Sequence, residues 1–252
     1  MKFVITPNIE DAWDNVRINT LSPSMFSWVN SGCSYQVLLQ KALDSFNDKS
    51  FFLPPPKNTI IGTIVHKIYE LSSKRALDSI ADLSNQWEKL IKEKEKELKG
   101  LYPTLQNVDI NDYDKRNKCF RYALSLMKSV NQYDANNYKT YSEYWLDCSE
   151  IGLRGMIDKL YITSNGIEIV DYKSGAVVDE KGMVKEEYVV QLQLYAIMCE
   201  HLKMGRINTL ALVDIDGKKH EIDYDYLQKD NYISKVRKTI DLLNQVIKDR
   251  AF

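Results

Sequence analysis

From about Ser22 to Lys139 apolar residues recur at helical intervals, interrupted at FFLPPPKN (51–58) and GLYPT (100–104). That spacing predicts amphipathic helices separated by breakers. SPSMFSWVNSGCSYQVLLQKAL predicts a helix with Ser22 as N-cap and Pro23 at the first helical position. TIIGTIVHKIYELSS predicts another, with an apolar stripe of Ile61, Ile64 or Val65, Ile68 and Leu71. Gly62, His66 and Glu70 fall together beside that stripe. QWEKLIKEKEKELKG predicts a long charged helix ended by Gly100, its Lys/Glu alternation making a solvated face.

After Tyr138 the period changes from helical to extended. TYSEYWLDC, GLRGMIDKLYI and IEIVDYKS, with TSNG between the last two, predict three strands in a meander. A polar loop from Gly175 to Lys185 leads to a helix at about Glu186 to His201, then a strand NTLALVDI and a turn DGKK. Tyr226 to Arg250 predicts a final amphipathic helix. No internal repeat or low-complexity segment interrupts this order. The expectation is an α/β chain: a helix-rich N-terminal region (1–138) and a core with the C-terminal helix (139–252), integrated as one domain.

Candidate chemistry begins with the third strand. In an extended chain Ile167, Ile169, Asp171 and Lys173 share one face and Glu168, Val170 and Tyr172 the other, so a carboxylate and an ammonium end one apolar row. A DxK tripeptide alone is weak, since about one is expected by chance in a chain of this size. The other two, at Asp179/Lys181 and Asp216/Lys218, lie in a loop and a turn and follow no apolar strand. On the preceding strand Met156, Asp158, Leu160 and Ile162 are expected on one face. Aspartate is disfavoured in mid-strand, so Asp158 is either a salt-bridge partner or a functional group. A hairpin at TSNG brings Asp158 toward Asp171, and two carboxylates about 4 Å apart repel by roughly 4 kcal/mol at an effective dielectric near 20. A divalent cation relieves that repulsion, and hard oxygen ligands suit Mg²⁺ or Mn²⁺.

Composition limits the alternatives. At 252 residues, with 10 Gly and 6 Pro, the chain is long enough to bury a full core and belongs to no fibrous or disordered class. Its formal net charge of -1 gives no global polycationic surface, so any polyanion site is local. Lys67, Arg154, Lys159 and Lys185 are candidates for such a surface. Cys33, Cys119, Cys148 and Cys199 are scattered without zinc-ligand spacing and are expected as buried free thiols. No apolar run reaches the length of a membrane span and MKFVITPNIED lacks a secretion core, so a cytoplasmic protein without membrane contact is expected.

In EEYVVQLQLYAIMCE, Gln191 and Tyr195 stand at i and i+4 beside an apolar stripe of Val190, Leu194 and Ile197. They are either a polar helix border or a pair that holds the lysine or a phosphate. His66 is likewise open between a satisfied core histidine and a ligand. Gly62, one turn before it, lets that helix approach another element closely.

GxxxHxxxE at Gly62 to Glu70, GxxD at Gly155 to Asp158, DYKSG at Asp171 to Gly175 and QxxxY at Gln191 to Tyr195 together resemble the ordered motifs of the RecB-like PD-(D/E)XK nucleases. The resemblance spans roughly Leu21 to Asp214. It implies a restriction-endonuclease-like core, a central mixed β-sheet flanked by helices, behind a helical N-terminal region that supplies His66. It further implies that His66, Asp158, Asp171 and the Tyr172 carbonyl hold Mg²⁺ or Mn²⁺, with Asp158, Asp171 and Lys173 catalytic. Gln191 and Tyr195 would support the lysine or contact DNA, with Glu70 and Glu143 as further acidic residues of the site. The segment around Cys33 is similar to that carrying the first cluster cysteine in the iron-sulfur branch of the family. The three further cysteines that branch needs near the C-terminus are missing, so no iron-sulfur cluster is expected.

By resemblance, then, the chain is a metal-dependent deoxyribonuclease, an exonuclease of DNA repair, recombination or anti-phage defence. The alternatives are a non-cleaving DNA-binding or scaffolding subunit, or a nuclease acting on RNA or branched DNA. Near-neutral charge implies modest intrinsic affinity for DNA and a helicase or ATPase partner that presents the strand.

Overall fold

The computed structural model describes residues 16–30, 32, 37–38, 40, 54–102, 109–133 and 139–249. Among these, the helices are α1 (Pro23–Asn30), α2 (Lys57–Ser73), α3 (Ile80–Leu101), α4 (Tyr113–Tyr133), α5 (Glu186–His201) and α6 (Lys229–Asp249). The strands are β1 (Lys139–Cys148), β2 (Leu153–Thr163), β3 (Gly166–Lys173), β4 (Ile207–Asp214) and β5 (Lys219–Ile222). They form one sheet in the order β1-β2-β3-β4-β5, antiparallel except for the parallel β3–β4 pair that α5 connects. The result is the expected α/β architecture with a mixed sheet between helical layers.

Local chemistry explains the starts of α1 and α3. Ser22 Oγ accepts the Met25 N–H at 3.1 Å, capping α1 ahead of Pro23. Ser79 and Asp82 exchange hydrogen bonds at the start of α3, a capping arrangement. That helix runs through Gly100 and ends at Leu101, so the glycine does not stop it. α6 begins only at Lys229, after a 3₁₀ turn at Tyr226–Gln228. β5 is an added strand at a sheet edge, from a polar stretch read as turn and connection.

Two apolar clusters sandwich the sheet. Ile167 and Ile169 of β3 with Leu210 and Leu212 of β4 face α1, α5 and α6; Val170, Tyr172, Ala211 and Val213 face α2, α3 and α4. The alternation expected in β3 is therefore the alternation between two cores. The buried apolar positions of α2 are Ile60, Ile61, Ile64, Val65, Ile68 and Tyr69, whereas Leu71 is only partly covered. α5 is buried at every residue from Val190 to Cys199 and so has no amphipathic border. Its two interior glutamines are satisfied: Gln193 donates to the Asp223 carbonyl and accepts the Asp225 N–H, and Gln191 belongs to the site below. Cys119, Cys148 and Cys199 are buried free thiols, and Cys33 lies outside the described residues. No described helix is long and apolar enough to cross a membrane.

One irregularity decides where the site falls. β1 and β2 keep a single register except at Glu143 and Asp158, the one opposed pair missing between Lys139 and Cys148. Glu143 there has φ +53°, a strained backbone for a glutamate. Leu153 and Ile157 before this point and Leu160 and Ile162 after it all pack into the same cluster. The face therefore slips by one residue, and Asp158 and Lys159 both turn away from that core. The single face expected for Met156, Asp158, Leu160 and Ile162 is corrected accordingly. Lys159, expected at a basic surface, is only 4% exposed; it donates to Ser142 Oγ at 3.2 Å and lies over the Tyr161 ring.

Candidate active site

β2 and β3 pair only from Lys159↔Val170 to Thr163↔Gly166. Beyond that they diverge, β3 staying with β4 as far as Lys173↔Asp214, so a fork opens at Asp158 and Asp171. The far end of the fork is filled by the N-terminal segment, where Leu21 bridges to Leu153 and exchanges backbone hydrogen bonds with Gly152 and Arg154. A Cβ at Gly155 would stand 2.8 Å from Pro23 Cδ and 3.2 Å from the Tyr195 ring. Gly155 is thus a close-approach residue, as is Gly62, whose Cβ would meet Ser174 Oγ at 3.0 Å. Nothing crowds Gly175, and no physical account of the last glycine of DYKSG follows from the packing.

Both layers reach the mouth of the fork. From α2, His66 Nδ1 lies 3.2 Å from Asp158 Oδ1. The other oxygen of Asp158 accepts the Tyr172 N–H at 2.8 Å, so a side chain replaces the strand partner that β3 has lost. From α5, Gln191 donates to Asp171 Oδ1 at 2.9 Å and accepts from Lys173 Nζ at 3.0 Å. Lys173 Nζ lies 2.7 Å from Asp171 Oδ2, but not along a direction a hydrogen bond requires, and that buried oxygen has no aligned donor. The Tyr188 ring flanks the ammonium, its centroid 4.7 Å from Nζ. Tyr188 was missed in the sequence, although it sits three residues before Gln191 on the same helical turn.

The electrostatics follow from burial opposed by pairing. Burial disfavours charge on Asp158, yet His66, the Tyr172 N–H and Lys173 hold its carboxyl below the usual range. For Asp171 burial dominates; it raises the carboxyl against the pull of Lys173, and the nearby Asp158 charge raises it further. Burial also opposes the cations, but Asp158 raises His66 and Asp171 raises Lys173. Lys173 is therefore an ammonium at neutral pH.

Two residues read as part of this group, Glu70 and Glu143, sit elsewhere, while Tyr195 borders it beside Gln191. The Tyr195 hydroxyl donates to the Met156 carbonyl at 2.7 Å, tying α5 to β2 rather than touching Lys173. Glu70 bonds Lys67 at 2.6 Å and also Lys74. Glu143 is raised by burial and by Glu70 beside it, so these two carboxylates form a separate cluster. Tyr172 projects its ring into the core against Tyr69 and Tyr122. Among the described residues no three His, Cys, Asp or Glu side chains already surround a common point. His66 engages Asp158 while Lys173 and Gln191 engage Asp171.

A helix histidine, two strand aspartates, a strand lysine and a helix glutamine thus meet at a sheet fork on an α/β core. The family model of the PD-(D/E)XK nuclease superfamily matches residues 20–251, and the chain belongs to that superfamily. Its sheet and flanking helices are the restriction-endonuclease-like core of that family. Comparison with curated proteins returned no match. Among solved structures, an alkaline exonuclease from Laribacter hongkongensis is similar over 96% of each chain at 12% identity and TM-score 0.46. The structure titled SSO0001 is similar over 93% of this chain and 82% of its own, at 14% identity and TM-score 0.39. Neither likeness is close enough to carry an argument about mechanism.

Proposed function

We propose that this protein is a metal-dependent nuclease that hydrolyses phosphodiester bonds in DNA at the β2–β3 fork. The observation that carries the reading is the hydrogen bond from His66 of α2 to Asp158, beside the Asp171–Lys173–Gln191 triangle. His66, Asp158, Asp171 and the Tyr172 carbonyl would hold Mg²⁺ or Mn²⁺. The carboxylate and carbonyl oxygens are the hard donors such ions prefer, and the buried Asp171 Oδ2 has no aligned hydrogen-bond donor. Bound there, the ion supplies Lewis acidity to the phosphodiester and acidifies a water.

The protein's own residues do the rest. Lys173, held charged by Asp171 and oriented by Gln191, neutralises charge that builds on the phosphate oxygens. Gln191 fixes both partners of that ion pair, so one buried side chain sets their relative position. The Tyr172 N–H orients the Asp158 carboxylate across the fork. His66 ties α2 to the sheet, which supports reading the helical region and the core as one integrated unit. Near-neutral net charge supports a helicase or ATPase partner that delivers the strand.

The test is cleavage of end-labelled linear, circular and single-stranded DNA and of RNA with Mn²⁺ or Mg²⁺. Linear DNA is expected to be cut, and Asp171→Asn and Lys173→Ala to abolish cutting while circular dichroism stays unchanged. If the unmodified protein binds DNA but never cuts it with either ion, it is a binding or scaffolding subunit instead.

A further inference from the structure

β1 and β2 carry a second feature on the surface that leads to Asp158. Trp145 is 56% exposed and Met156 41%, and the two stand directly opposite in the register, about 5 Å apart at Cβ. They alternate with the buried Leu146, Leu153 and Ile157, so both project away from the first core. The Arg154 guanidinium lies 5.6 Å from the Trp145 ring centroid, and its Nε is 3.1 Å from Asp147 Oδ2. An indole and a thioether left side by side in water cost free energy that folding does not recover, and here a cation is fixed against the ring.

Position separates this patch from an ordinary edge-strand aromatic. Met156 precedes Asp158 by two residues on one strand, a rise of about 7 Å. Its carbonyl accepts the Tyr195 hydroxyl, so the backbone under the patch is bound to the helix that also carries Gln191. The patch thus neighbours Asp158 along β2, on backbone tied to the helix of the candidate site. A flat indole with a neighbouring thioether accepts any base face, and a guanidinium meets the accompanying phosphate; this is the chemistry of single-strand binding without sequence preference.

We propose that Trp145 and Met156 form a stacking platform for an unpaired base of a nucleic-acid strand, next to the phosphodiester at Asp158 and Asp171, with Arg154 meeting its phosphate. This inference rests on the nuclease reading and names the substrate form that reading leaves open: the strand is single at the platform. Trp145 is a substrate-binding residue and takes no part in bond cleavage.

The experiment uses the full chain with Trp145→Ala and Trp145→Phe. Binding of labelled oligothymidylate is read by fluorescence anisotropy with chelator present, so no cutting intervenes. Cleavage of the same oligonucleotide is read with Mn²⁺, alongside hydrolysis of methyl p-nitrophenyl phosphate, an ester that carries no base. Trp145→Ala is expected to raise Kd and KM by roughly 5- to 150-fold, with kcat and ester hydrolysis little changed, and Trp145→Phe to restore most of the loss. Unchanged Kd and KM in Trp145→Ala overturn the platform even if the protein cuts, leaving the nuclease reading intact. A protein that binds but does not cut, with binding lost in Trp145→Ala, overturns the nuclease reading and keeps the platform as a binding surface. Two outcomes also sink it: no oligothymidylate binding by the unmodified protein, or a Trp145→Ala effect confined to the sedimentation coefficient, which marks a protein–protein face.

Discussion

Gln191 is the residue on which the site's geometry turns. Its amide joins Asp171 and Lys173 from a helix buried on all sides, so truncation leaves two buried charges without their shared orienting group. Gln191→Ala is expected to lower kcat by about 10- to 100-fold with a small change in KM, measured on a single-stranded oligonucleotide. Lys159 makes a different prediction. Burial, with Lys74 just after α2 nearby, lowers its pKa from 10.5 to about 8, while Ser142 of β1 and the Tyr161 ring are its neighbours. A base with a depressed folded pKa binds fewer protons folded than unfolded between those values, so its contribution to stability rises with pH across that window. The unfolding free energy of the unmodified protein relative to Lys159→Met should therefore climb from pH about 8 to about 10.5. A flat difference would place the lysine in water.

At the scale of elements, the fork depends on how closely α1 and α5 approach β2. Gly155 admits Pro23 Cδ at a distance no Cβ tolerates, and the proline ring cannot swing aside. Gly155→Ala is expected to cost about 1–3 kcal/mol in chemical denaturation, or to displace α1 from the sheet. Gly62→Ala meets only a serine hydroxyl, Ser174 Oγ, and should cost less. The alternation of β3 was legible in the sequence because the period of a strand is local. The slip at Glu143 and Asp158 was not, since it appears only when two strands and two cores are superposed. Lys159 was misread for the same reason: its neighbour on the strand ladder is Ser142, seventeen residues earlier.

For the whole molecule, His66 joins the α2 layer to a sheet whose aspartates lie some ninety residues later in the chain. An ion held by both layers stabilises the folded state by mass action, about 2.7 kcal/mol at one hundred times Kd. Thermal unfolding with Mn²⁺ should therefore shift upward as a single transition, and His66→Ala and Asp171→Asn should each remove most of the shift. Two separate transitions, only one of them moved by Mn²⁺, would show that the helical region and the core do not fold as one unit.

The sequence by itself determined the main helices, the strands other than β5 and the alternation of β3, because these rest on local periodicity, while the aspartates, lysine, glutamine and histidine were picked out by the resemblance of their ordered motifs. Only the tertiary structure decided that Glu70 and Glu143 pair away from the aspartates, that Tyr195 tethers the Met156 carbonyl, and that Leu21 fills the end of the fork. Those outcomes depend on which distant segments compete for the same buried hydrogen bonds and volume, and no local pattern records that competition.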